Sequence, residues 1–217
     1  MKMKRTLMIS PAVLLAGALM IGLGSANVSA EPARYEIDPD HLSIGFLVDH
    51  VGYAKLLGMF RKASGSFTFD EASGELSDVV VTVDTESVFS NHRKRDEHLR
   101  SADFLNSAEF PQMVFRAQGA TPIGERRYRI EGELELLGQS RPLTLEATWN
   151  KSAEYPFGGG LLGGKPYVTG VSARGSFLRS AYGMDYSVDN GWVGDEVELI
   201  IEFEAPVSYT HLRAHET

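Results

Sequence analysis

The side chains best equipped for chemistry gather in one charged run, Arg93-Lys94-Arg95-Asp96-Glu97-His98-Leu99-Arg100, which continues as Ser101-Ala102-Asp103-Phe104-Leu105-Asn106. Acid–base catalysis would draw on His50 or His98 with Asp96. A metal site would need imidazoles and carboxylates, because the 217-residue chain has six histidines and no cysteine. The spacing argues against one. His41 and His50 are nine apart on or near one strand, an odd offset that sends them to opposite faces, and Asp96 and His98 at i,i+2 do not share a helix face. Neither HExxH nor a two-His-one-carboxylate pattern occurs. A nucleophile elbow of the form GxSxG is missing, and 29 acidic residues make some carboxylate pair inevitable, so pairing alone does not signal glycoside hydrolysis. The histidines are therefore expected to hydrogen-bond backbone or carboxylates at the ends of the fold, with no metal and no cofactor.

Whatever these groups do, the flanking sequence must position them, and its period is two. Ile44, Phe46 and Val48 alternate with Gly45, Leu47 and Asp49. Phe67 and Phe69 precede the turn Glu71-Ala72-Ser73-Gly74, after which Val79, Val81 and Val83 resume the alternation, which predicts a hairpin. Met113 and Phe115, Tyr128 to Leu136, and Leu143 to Trp149 after Gly138 read as a meander, followed by strands at Tyr167–Phe177 and Val197–Phe203. About eight such strands predict a closed antiparallel barrel or a sandwich, and closure is favoured because it removes exposed edges. The charged run interrupts the strands. Asn91 and Ser101 are the expected N-caps of two short helices within it. Leu99 and Phe104 would anchor this insertion as a plug, with Arg95 or Asp96 tying it to the rim. The alternative is a lid that admits an apolar ligand and sets a cation near its polar head. Phe157 to Gly164 reads as a glycine-rich loop.

Residues 1–30 read as a secretory signal: a basic MKMKR start, an apolar stretch Leu7–Leu23, and the small-residue pattern Val28-Ser29-Ala30 with cleavage after Ala30. Pro11 and several small residues weaken that stretch as a membrane span. Removing Lys2, Lys4 and Arg5, with no Asp or Glu in the segment, takes the formal charge from -8 to -11. So acidic a domain repels nucleic acid, and Arg93-Lys94-Arg95 is too small a patch to reverse that. Residues 31–208 form the expected domain. Residues 209–217, with His211 and His215, follow the last strand without periodicity and read as a non-native tail.

Several segments together carry a resemblance: Tyr35-Glu36-Ile37-Asp38, Phe46 with His50-Val51-Gly52-Tyr53, Gly58-Met59-Phe60, the whole of Asn91–Asn106, Phe110-Pro111 with Phe115, Gly132–Gly138 with Pro142–Leu145, and Glu196–Ile201. The chain resembles the YceI-like family of bacterial periplasmic lipid-binding proteins over about Tyr35–Val207. That resemblance implies an all-β, lipocalin-like, eight-stranded antiparallel barrel with a short helical insertion, holding a long-chain isoprenoid or other amphiphilic lipid and performing no catalysis. Many members carry a serine where this chain has Leu42, and an acidic residue where it has Ala181. The expected ligand-binding residues are Phe46, Val48, Phe60, Phe67, Val81, Phe115, Leu134, Leu145 and Phe177 along the strands, with His50, Arg95, Asp96, His98, Leu99 and Phe104 at the helical end. The strand parity facing inward is open, since a one-residue register change exchanges the faces.

Three functions compete: a periplasmic carrier or reservoir for such a lipid, a lipid-modifying enzyme using His50 or His98 with Asp96, and a stress-related structural barrel with a packed interior. The carrier would make transient membrane contact, and a homodimer is compatible with it; nucleic acid is not a partner. Export is directly testable. N-terminal sequencing of exported protein should begin at Glu31, and a Met1 start on membrane-bound material would overturn both the cleavage and a soluble carrier.

Overall fold

The computed structural model describes residues 32–158 and 164–208; the expected signal segment, the centre of the glycine-rich loop and the expected non-native tail lie outside the described residues. The described chain forms twelve strands in one antiparallel sheet: β1 (Ala33–Glu36), β2 (Leu42–His50), β3 (Ala54–Phe60), β4 (Ala63–Asp70), β5 (Glu75–Asp84), β6 (Val88–Phe89), β7 (Gln112–Ala117), β8 (Thr121–Gly124), β9 (Arg127–Leu136), β10 (Gln139–Glu154), β11 (Tyr167–Leu178) and β12 (Val193–Pro206). Their order is β1-β4-β5-β7-β9-β10-β11-β12-β2-β3-β6, with β8 appended to β9. The sheet curls until its start meets its middle: Tyr35 of β1 bridges Val207 just beyond β12, and Asp38 N–H donates to Glu204 O at 2.9 Å. Near the other margin, Met59 and Phe60 of β3 pair with Phe89 and Val88 of β6.

The expected eight strands become nine of six residues or more plus three short ones. The additions have a physical origin. β3, with the sequence AKLLGMF, lacks clean alternation, while β1, β6 and β8 have too few residues to show a period. The expected hairpin is β4–β5, and its turn is fixed by Asp70, whose carboxylate accepts from Ala72 N–H at 2.8 Å while Gly74 takes φ +74°.

Register decides which parity is inside. One row crosses the sheet as Ile130–Leu145–Gly175–Leu199–Phe46–Gly58, and the next as Tyr128–Ala147–Ala173–Ile201–Ile44–Phe60–Val88. Both rows are apolar or small throughout, so the alternation in the sequence becomes a continuous inner wall. The wall glycines are not voids. A Cβ on Gly58 would come within 2.2 Å of the Phe46 ring, one on Gly132 within 2.6 Å of Phe115, and one on Gly175 within 2.7 Å of Leu145. Each large side chain therefore lies across a neighbouring glycine instead of standing into the barrel. Gly58, Gly132 and Gly175 thus leave no open volume at their own positions.

The charged run folds as one helix, α1 (Arg93–Arg100), and not two. His92, not Asn91, is its N-cap: His92 Nδ1 accepts from Arg95 N–H at 3.2 Å, while Asn91 takes φ +60° just before it. Ser101 ends the helix by giving its hydroxyl to His98 O at 2.7 Å. The chain then turns back through Phe104 N–H to Ser101 O at 3.0 Å and Asn106 N–H to Ser101 O at 2.8 Å, which excludes a second helix.

The glycine-and-ring arrangement generates a test. Gly58→Ala should destabilise the protein by about 1 to 3 kcal/mol through overpacking against Phe46. In a Phe46→Ala background the same change should cost much less in urea unfolding, and an equal cost in both backgrounds would show that the ring does not occupy that space.

Candidate lipid-binding cavity

The inner wall encloses a cavity of about 500 Å³. Its far end is an aromatic floor: Phe67 meets Phe203 with ring centroids 5.9 Å apart, and Phe69 packs edge-on to Trp149 at 5.1 Å. Glu71 stabilises that end by accepting from the hydroxyls of Tyr35 at 2.8 Å and Tyr167 at 3.0 Å. The mouth lies at the opposite end, between the β2–β3 turn, α1, and the segment 185–192 that precedes β12. Val51, Tyr186 and Trp192 line the cavity there and are exposed, and Tyr53 beside them is 91% exposed.

Phe46, Val48, Phe60, Phe67, Val81, Phe115, Leu134, Leu145 and Phe177 all line the cavity, as do His50, Arg95, His98, Leu99 and Phe104 near the mouth. Asp96 does not, which is a correction. Helical spacing explains it: Arg95, His98 and Leu99 at i, i+3 and i+4 share the face turned to the cavity, and Asp96 lies off that face. Asp96 is buried at 7% exposure instead, where its Oδ1 accepts from Ser90 N–H at 2.7 Å and from the Ser90 hydroxyl. Ser90 in turn receives Arg95 Nε–H at 2.8 Å on its hydroxyl and Arg95 Nη2–H on its carbonyl at 2.5 Å. Ser90 is thus the hinge pin through which both charges fasten α1 to the end of β6. His98 pairs with Asp103 at 2.8 Å, so the anticipated His98–Asp96 acid–base pair does not form.

Phe104 plugs the mouth from the turn after α1. It is 7% exposed and packs against His98 at 4.9 Å and Tyr186 at 5.3 Å, with the Arg179 guanidinium 5.7 Å above its ring. Leu99 is only half-buried, so it contributes less to the core than expected. Arg179 was not among the anticipated residues, because a lone arginine in Arg179-Ser180-Ala181-Tyr182 carries no periodic signal. The fold buries it to 1% exposure. Four of its N–H groups are taken by backbone carbonyls: Gly194 at 2.7 Å, and Met184, Tyr186 and Val193 at 2.9 Å each. Burial pushes its guanidinium below the ordinary arginine range, with Asp195 and Asp185 opposing that shift. Arg179 therefore welds the segment 184–194 to the end of β11 and holds Tyr186 and Trp192 at the rim. Trp149, Leu199 and Phe203 were likewise missed as wall residues, although their alternation is visible in the sequence.

Comparison with known proteins bears on the same architecture. The model of the YceI-like domain matches residues 35–205. This chain belongs to the YceI-like family. The YceI proteins of Salmonella arizonae and Salmonella enteritidis are each 38% identical to it over 192 residues, covering 88% of this chain and 95% of theirs. Among solved structures, Campylobacter jejuni YCEI aligns with TM-score 0.63 and 28% identity, covering 73% of this YceI-like chain and 88% of that one. Burkholderia cenocepacia BcnA shares the fold with TM-score 0.67 at 18% identity, covering 77% and 98%. A Saccharophagus degradans domain described as polyisoprenoid-binding shares it with TM-score 0.54 at 11% identity, covering 80% and 98%.

The mouth of this YceI-like barrel makes a stability prediction. Phe104→Ala removes a buried ring from three partners and should cost about 3 to 5 kcal/mol, with Leu99→Ala costing less because Leu99 is half-buried. Urea unfolding measures both, and an unchanged midpoint for Phe104→Ala would mean that the plug does not brace the barrel.

Proposed function

We propose that the protein is an exported periplasmic carrier or reservoir whose barrel takes up one long amphiphile, an isoprenoid chain bearing a polar head. The observation that carries this reading is the cavity of about 500 Å³, apolar along most of its length, whose charged and imidazole side chains, Asp49, His50, Arg95, His98 and Arg179, lie toward the mouth. That volume lies within the usual range of about 300 to 1,000 Å³ for small-molecule sites. Each buried methylene contributes about 0.8 kcal/mol, so an extended hydrocarbon in this cavity has a large driving force before ordering costs are subtracted. The polyisoprenoid binding described for the Saccharophagus degradans domain supports the same ligand class. Export through residues 1–30 would place the carrier where it can exchange lipid by transient membrane contact, with the exposed Val51, Tyr53 and Trp192 at the mouth.

Catalysis is the weaker reading. Acid–base chemistry requires a pair of groups within reach of one another and of a bound substrate. Asp96 lies off the cavity wall with its Oδ1 held by Ser90, and His98 faces Asp103. The packed structural barrel is disfavoured by the cavity itself.

Mass spectrometry of organic extracts from protein purified without detergent should find one long-chain amphiphile in near-stoichiometric amount. Ala173→Trp, at a small position on the cavity wall, should reduce that amount sharply while β-type circular dichroism persists. Lipid-free wild type would favour the structural barrel, and full retention in the variant would show that the lipid does not occupy the cavity beside Ala173.

A further inference from the structure

The outer face of the barrel carries an apolar area that strand register assembles from residues far apart in sequence. One outward row crosses β11, β12, β2, β3 and β6 as Arg174–Ile200–Gly45–Met59–Phe89, and the next runs Ser176–Glu198–Leu47–Leu57. Leu57 is 62% exposed and Met59 37%, while Leu47, Phe89 and Ile200 are half-buried. None of these five belongs to the hydrophobic core or packs against it. Leu57 also borders the cavity at the sheet margin, whereas the other four do not. Across the barrel, β9 and β10 present the outer face expected in water, with rows such as Arg129–Glu146 and Glu131–Thr144. The broken alternation of β3 is therefore apolar side chains placed on both faces of one strand, and contiguous exposed apolar area marks a surface that meets something else.

Charge brackets this area unequally. At one end the Arg61 guanidinium lies 5.3 Å above the Phe89 ring and has no carboxylate within ion-pair distance among the described residues. At the other end, beyond Leu47 and Leu57, Lys55 pairs with Glu198, and Asp49 and Glu196 act on it from further off. Asp49 and Glu196 are both exposed, so that end carries excess negative charge. Lys55 and Arg61 are six residues apart on an extended chain, which separates the two ends by about 20 Å.

An area that is positive at one end, negative at the other and apolar between complements itself. A two-fold axis in the contact plane can lie along β3 or across it. Along β3, Arg61 would meet Arg61 and the acidic ends would meet each other. Across β3, the two β3 strands run antiparallel, the apolar rows meet in the middle, and Arg61 of each copy faces Asp49 and Glu196 of the other. A lipid surface fits less well, because burying the rows in hydrocarbon would also strip water from the Lys55 cluster and from the Arg174–Glu202 pair beside Ile200.

We propose that this outer area is the contact of a weak symmetric dimer, two copies packed through Leu47, Leu57, Met59, Phe89 and Ile200 with their β3 strands antiparallel. Five apolar side chains per copy fall short of the roughly 20 to 30 residues a side of a standard interface, which sets the affinity in the micromolar range. The reversal puts the two β2–β3 turns at opposite ends, so both cavity mouths stay open. The contact does not depend on what the cavity holds.

Sedimentation velocity of the mature protein over the micromolar range, with and without bound lipid, tests this. The wild type should pass from monomer to dimer as concentration rises. Leu57→Glu, at an exposed position, should weaken dimerisation at least about tenfold while the melting temperature stays at the wild-type value. Arg61→Glu should weaken it by about three- to tenfold. Adding Glu196→Arg to Arg61→Glu should recover most of that loss, because the swapped charges attract only where the β3 strands are antiparallel. A wild type that stays monomeric throughout the range overturns the proposal. So does a dimer that Leu57→Glu leaves intact, since its contact then lies elsewhere. A dimer lost in Leu57→Glu but indifferent to the charge swap overturns the antiparallel arrangement. Flotation of monomeric wild type with phosphatidylcholine vesicles, abolished by Leu57→Glu, would assign the area to a lipid surface and overturn the dimer.

Discussion

Everything in this barrel depends on the antiparallel ladder keeping one parity of side chains inside without filling the inside completely. Cross-strand rows such as Tyr128–Ala147–Ala173–Ile201–Ile44–Phe60–Val88 give a wall with no charged residue. A barrel of this size can be filled by its own side chains or can hold one ligand. The balance is set by large residues that lie flat. Phe46 over Gly58, Phe115 over Gly132 and Leu145 over Gly175 place bulk against the sheet, so the same residues seal the wall and spare the lumen.

The mouth obeys a different constraint, because there the chain must leave the ladder and still satisfy its polar groups. Two arginines solve this by local bonding. Arg95 and Asp96 converge on Ser90 to fix α1, and Arg179 gathers carbonyls from the segment 184–194. Breaking either arrangement would leave buried polar atoms without partners, which is costly in a desolvated site. The same bonding leaves positive charge facing an apolar space.

The helical end is also where apolar and polar functions are most closely combined. Phe104 touches His98, Tyr186 and Arg179, so the plug, the rim aromatic and the buried cation form one packed unit. Movement of the turn after α1 would disturb all of them together. The aromatic floor has no such coupling to charge, and Glu71 there simply ties Tyr35 to Tyr167 across the seam.

By itself the sequence determined the all-β character, the β4–β5 hairpin, the meander and the apolar wall, because period-two alternation is written locally and survives any tertiary arrangement. The run Asn91–Asn106 stood out because it breaks that alternation, and the structure sets its helix at the mouth of the cavity. The inward parity was not legible, since it depends on pairing register between distant strands. Nor were β3 and the short strands, whose pairing comes from neighbours and not from their own pattern. Asp96 looked like a site residue because the sequence shows its company but not its direction; one residue of helical offset turns it toward Ser90 and Arg95 toward the cavity. Arg179 became visible only in the folded chain, where residues 184–194 bring four carbonyls around a guanidinium that has no sequence neighbour to explain it. Its burial and the carbonyls that hold it are properties of long-range packing, which no local pattern encodes.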